Sequence, residues 1–117
     1  MATVPIADSR SSLADQAAEA AGVLKLLAHE GRLLVLCHLA ESGELTAGSL
    51  GRMIGLSHSA MSQHLALLRE EGLVTTRRDS QTVIYRIADP RVHRLLALLK
   101  DLYCPELEPI HATGEDQ

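Results

Sequence analysis

The chain has 117 residues, 15 acidic against 11 basic side chains, a formal net charge of −4, two cysteines, two tyrosines, and neither tryptophan nor phenylalanine. That length suits one domain with a modest core, and so few aromatic rings exclude the base-stacking modules that bind single strands. No apolar run approaches the ~20 residues that cross a bilayer, and the N-terminus lacks the basic and then apolar order of a secretory signal. The expectation is a cytoplasmic protein with no membrane association, whose cysteines are free or reactive thiols rather than a structural staple.

The overall acidity hides an asymmetry. Between Arg52 and Arg94 lie seven arginines and four acids, a local net of +3, while the remainder of the chain carries −7. A basic middle between acidic ends points to a polyanionic partner for the middle.

Residues 1–11 are small and polar and read as a flexible arm. Ser12 then offers an N-cap with Asp15 in the first turn, and Leu13, Ala17, Ala20, Leu24 and Leu27 recur at helical spacing, giving a helix over 13–27. His29-Glu30-Gly31 reads as a break before a second helix, 32–40. Its Leu33–Cys37 run is apolar nearly all round, which implies full burial. Thr46 caps a short helix, 47–54, with Leu50, Met53 and Ile54 facing inward, and Gly55 suits the left-handed residue past its end. Ser57 caps a helix over 58–71 that Gly72 closes. Its core stripe is Met61, Leu65 and Leu68, which leaves His58, Ser59, Ser62, Gln63 and Ala66 on the other side.

Two β-prone runs follow, 73–78 and 82–87, joined by Asp79-Ser80-Gln81 as a hairpin. Asp89-Pro90 is a cap followed by proline at the first helical position. The last helix runs to Tyr103 with Val92, Leu95, Leu96, Leu99 and Leu102 on one face, and Pro105 stops it. The core domain is thus 12–104, with 105–117 a mobile acidic tail.

Two short helices joined by a tight glycine turn and followed by a hairpin make a winged helix-turn-helix, in a mainly α fold with a small β-hairpin. The major groove of DNA admits one helix, read by short polar side chains in its N-terminal half. Ser57, His58, Ser59, Ser62 and Gln63 occupy those positions. Gln63 can bond adenine bidentately, and the helix N-terminus attracts phosphate. Arg77, Arg78 and Arg86 on the hairpin suit the backbone or the minor groove. Nothing suggests an enzyme: there is no phosphate-cradling loop, no paired carboxylates on one helix and no Ser/His/Asp set that falls in one pocket.

The stretch Leu56-Ser57-His58-Ser59-Ala60-Met61-Ser62-Gln63-His64-Leu65, with Leu68-Arg69-Glu70-Glu71-Gly72-Leu73-Val74, closely resembles the recognition helix and start of the wing in the ArsR/SmtB family of bacterial repressors. Arg77-Arg78 and Val83-Ile84-Tyr85-Arg86 match that family's wing, and Leu26-Leu27-Ala28-His29-Glu30-Gly31-Arg32-Leu33 resembles the start of its second helix. The resemblance spans about residues 13–104. It implies a homodimer through helices 13–27 and 90–103 that binds a palindromic operator. The apolar stripes on those two helices, which one small domain would struggle to bury, agree with it.

The resemblance also frames what is sensed. Arsenic sensors of the family carry Cys-x-Cys at the start of the third helix, where this chain has Thr46-Ala47-Gly48. Zinc sensors use Asp-x-His at the start of the last helix, where this chain has Asp89-Pro90-Arg91. No resident metal or cofactor is expected. Leu36-Cys37-His38-Leu39 and Leu102-Tyr103-Cys104 instead look like the persulfide-responsive BigR/SqrR branch, which implies Cys37 and Cys104 as sensor thiols that become joined by a polysulfide bridge within one subunit. The same pair leaves two alternatives open: a plain disulfide switch, or a site for a soft ion such as As(III).

Overall fold

The structure, a computed structural model, describes residues 12–103. The expected N-terminal arm, the acidic tail and Cys104 therefore lie outside the described residues. Eight elements follow in order: α1 (Leu13–Leu27), α2 (Glu30–Ser42), β1 (Leu45–Thr46), α3 (Ala47–Ile54), α4 (His58–Glu70), β2 (Val74–Asp79), β3 (Thr82–Ile87) and α5 (Pro90–Tyr103).

Local chemistry explains most boundaries. Ser12 and Asp15 form a reciprocal capping box at the start of α1, which satisfies backbone donors that the first turn leaves open. The Thr46 hydroxyl accepts from the Ser49 amide at 3.1 Å, and the Ser57 hydroxyl accepts from the Ala60 amide at 3.1 Å. Gly55 ends α3 at φ 85°, a left-handed conformation in which a Cβ would be strained. Asp89 accepts from the Arg91 amide at 2.9 Å beside Pro90, the first residue of α5.

Three expectations change. The second helix begins at Glu30, not Arg32, because His29 takes an extended backbone and its imidazole Nδ1 accepts from the Gly31 amide at 3.1 Å. The glycine read as a break is thus an ordinary first-turn residue, and the helix runs on to Ser42. The hairpin turn holds two residues, Ser80 and Gln81, with Ser80 at φ 61°. A third strand, β1, also pairs antiparallel with β3, so the sheet order is β1-β3-β2. Two residues are too few to show any alternation, so β1 is defined only by its partner.

Leu27, Val35, Leu36, Leu39, Leu50, Met61, Leu65, Leu68, Leu73, Val74, Val92 and Leu96 form the core. Burying each side chain contributes about 1.5–3 kcal/mol before chain entropy is set against it. The core lies where α2, α3, α4 and the sheet meet, with α5 closing one side. The apolar run of α2 is not buried all round: Val35 and Leu36 are, Leu33 and Cys37 are half-buried, and Leu34 is exposed. Met53 also points out rather than in. From α1 only Val23, Leu26 and Leu27 reach the core, while Leu13 and Leu24 stay exposed, as do Leu98 and Leu102 on α5.

Candidate DNA interface and thiol site

α4 is seated by Met61, Leu65 and Leu68, all buried. That leaves Ser57, His58, Ser59, Ser62 and Gln63 exposed on its outer side and around its N-terminus. The Ser57 cap holds one amide, and the remaining free N–H groups of the first turn face outward beside it. α3 lies beneath as a buttress, fixed by buried Leu50 and joined to α4 through Gly55 and Leu56. The outer face of α4 meets α3 and the sheet in a shallow surface hollow lined by Ala47, Ser62, Ala66, Arg69 and Tyr85. Arg69 is an exposed cation on this face that sequence reasoning did not single out.

The ladder register divides the wing arginines between two faces. Arg77 stands opposite Ile84, Arg78 opposite Val83, and Arg86 opposite Thr75. Side chains alternate along a strand, so Arg77 and Arg86 share one face and Arg78 lies on the other. Arg77 is engaged: its Nε and Nη2 donate to the two carboxylate oxygens of Glu44 at 3.0 and 2.9 Å. The Arg77 guanidinium, with a smaller pull from Arg86, holds the Glu44 carboxyl below the usual carboxylate range. Among the described residues, Arg78 and Arg86 have no ion pair within 4 Å. Arg91, also counted in the basic middle, is bound by Asp89 and Glu19 at 2.9 and 3.2 Å, so it serves the joint between α1 and α5.

Cys37 lies in the wall of a cavity of about 490 Å³ between α2 and α5. Leu33, Leu34, Leu96 and Leu99 line it, with His38 and Tyr103 among its polar groups. Lys100 and Glu41 form an ion pair at its edge. The thiol is half-buried, packed against the edge of the core and bordering this largely apolar space. The residues of α5 that line this cavity run down to Tyr103, and Cys104 is the next residue in sequence, outside the described part. No group of three or more His, Cys, Asp or Glu able to hold a metal occurs among the described residues. No helix of the described part is long and apolar enough to cross a membrane.

Residues 29–76, from the cap of α2 to the middle of β2, match the family model for bacterial regulatory proteins of the arsR family. The HTH-type transcriptional regulator YgaV of Escherichia coli strain K12 is 46% identical over 95 residues, covering 81% of this chain and 96% of that protein. The chain belongs to the ArsR family. Among solved structures, the transcriptional repressor BigR from Xylella fastidiosa superposes with a TM-score of 0.71 at 37% identity, covering 76% of this chain and 90% of that one. The homodimeric winged helix-turn-helix DNA-binding domain of Mb0332 from Mycobacterium bovis superposes with a TM-score of 0.70 at 32% identity, covering 85% and 91%.

As an ArsR-family winged helix-turn-helix protein, the chain is a DNA-binding transcriptional regulator and not an enzyme. Its family match spans α2 to β2, so the matched segment carries the buttress, the recognition helix and the first wing strand. Glu44 is a residue that sequence reasoning missed. It is 33 residues from Arg77, and only the pairing of β1 with β3 brings the two together.

Proposed function

We propose that this chain is a homodimeric repressor that releases a palindromic operator when Cys37 and Cys104 react with sulfane sulfur and become joined by a polysulfide bridge within one subunit. The observation that carries the sensing half is the placement of Cys37 on an open apolar cavity between α2 and α5. A thiol used only as core filling would be enclosed; this one has room beside it for added sulfur. The chemistry balances with persulfide alone. The Cys37 thiolate takes the outer sulfur of one persulfide and releases a thiol. Inserting two sulfane sulfurs and closing on the second cysteine removes two electrons and two protons. A third persulfide accepts them and leaves as thiol and sulfide. A bridge of several sulfurs also spans more than the ~5.5–6 Å Cα separation of a plain disulfide, so reach separates the two products.

On the DNA side, His58, Ser59, Ser62 and Gln63 read base edges, Ser57 and the helix N-terminus bind phosphate, and Arg78 and Arg86 hold the backbone from the wing. Arg77 reaches phosphate by exchanging Glu44 for it. The unburied stripes on α1 and α5 are the dimer surface.

Operator binding and intact mass test the sensing half together. Cys37→Ser and Cys104→Ser should each bind operator as the wild type does and no longer release it with glutathione persulfide. The wild type should gain the mass of two sulfurs less two hydrogens. Full release by either variant, or loss of two hydrogens with no added sulfur, overturns the reading; the second result marks a plain disulfide switch.

A further inference from the structure

The contact between α2 and the recognition helix contains two imidazoles whose role the DNA and thiol sites leave unexplained. His29, the cap of α2, and His64, on α4 next to Gln63, meet edge to face with ring centroids 4.8 Å apart and planes at 61°. Such a contact sets the positive edge of one ring on the negative face of the other and favours uncharged rings. His29 uses Nδ1 to accept from the Gly31 amide, so its neutral form carries the proton on Nε2. A proton on Nδ1 would remove the cap and place positive charge at a helix N-terminus. The His64 Nε2 lies so close to Gly31 that a Cβ there would be 2.9 Å away; only glycine leaves the ring this position.

We propose that His29 and His64 are positioning residues, an imidazole couple that seats the recognition helix on α2 and loosens that seat on taking up a proton, so that operator affinity falls on acidification. The charged groups facing His64 come from α2, namely His29 and Arg32. Arg32 is tied to α1, its Nε donating to the Leu26 carbonyl at 2.9 Å. Among the described residues no carboxylate oxygen lies within 4 Å of a nitrogen of either ring, so no ion pair is in place to hold an added proton. Burial first, then His29 and Arg32, hold the His64 imidazole below the ordinary histidine range. A lowered value means the seated form binds fewer protons than the loosened one. The seat is therefore complete above the ordinary histidine range and is lost as pH falls through the lowered value, with a limit of about tenfold per pH unit for one coupled proton. A helix seated in only a fraction of molecules weakens apparent affinity by that fraction.

The test compares operator affinity at about pH 7.5 and about pH 5.5 for the wild type, His29→Asn, which keeps a strong cap without a second imidazole, and His64→Gln. His58, exposed at the start of α4, is unchanged in all three. The wild type should weaken by up to about tenfold, His29→Asn by less than the wild type, and His64→Gln by at most about twofold, with far-UV circular dichroism unchanged. Equal weakening in all three, or acid unfolding that accounts for the wild-type loss, overturns the proposal. A second readout needs no DNA, and so separates failure of the couple from failure of the interface reading. Amide signals of Ser59 and Ala60, a turn away from His64, should titrate with the His64 imidazole in the wild type and stay still in His64→Gln. If they stay still in the wild type as His64 titrates, the helix does not move and the proposal fails.

Discussion

Gln63 carries much of the proposed DNA interface in one side chain. It is exposed because Met61, Leu65 and Leu68 take the other side of α4 into the core, and its amide can both donate and accept, the pattern adenine offers in the major groove. Gln63→Ala should therefore cost about 1–3 kcal/mol at a single base pair, seen as reduced discrimination when operator variants are compared. A uniform loss on every sequence would instead mark Gln63 as a backbone contact. This residue was legible in the sequence because helical spacing and a serine cap are local signals. His64, its neighbour, was not. Its character comes from His29, which approaches it only once α2 and α4 pack together.

At the scale of elements, the wing matters through its register. Among the described residues Arg78 and Arg86 have no ion pair, and they stand on opposite faces of the hairpin, while Arg77 is held by Glu44. Each cation that neutralises a phosphate adds about 0.9 to the slope of log affinity against log salt. Arg78→Ala and Arg86→Ala should each lower that slope by about this amount, read from titrations across salt concentrations. Arg77→Ala should weaken all DNA alike but change the slope less, since Arg77 must first leave a carboxylate. Equal slope changes for all three would show that Glu44 does not compete. The arginines themselves were visible in the sequence, and so were the two strands that carry them. β1 was not, because two residues carry no period, and the Glu44–Arg77 pair depends on β1 lying beside β3.

At the scale of the whole molecule, Leu13 and Leu24 of α1 and Leu98 and Leu102 of α5 remain on the surface. A stable interface needs about 800 Å² from each partner, and stripes along two helices suit that need in a two-fold dimer. Replacing Leu98 and Leu102 together by Asp should halve the mass seen in sedimentation and abolish tight binding to a two-half-site operator, while a far-UV spectrum of the wild-type form shows that the subunit still folds. A double variant that stays dimeric would move the interface elsewhere. The apolar excess on these helices was apparent as pattern. Which leucines stay outside was not: Leu95 and Leu96 are half-buried and buried, and Leu98 is exposed, within one turn of α5.

What the sequence determined by itself is everything governed by neighbours along the chain. Caps at Ser12, Thr46 and Ser57, the left-handed Gly55, the Asp89-Pro90 start and the helical and β periods all act within a few residues, so they survive without knowledge of the fold. Only the tertiary structure decided what depends on distant segments meeting. It set the His29 imidazole against His64, an approach that exists only once α2 and α4 pack together. It bound Arg77 to Glu44 and Arg91 to Glu19, and it opened the space beside Cys37 between α2 and α5. Those features follow from packing angles and strand register, which the order of residues encodes only through the balance of the whole core.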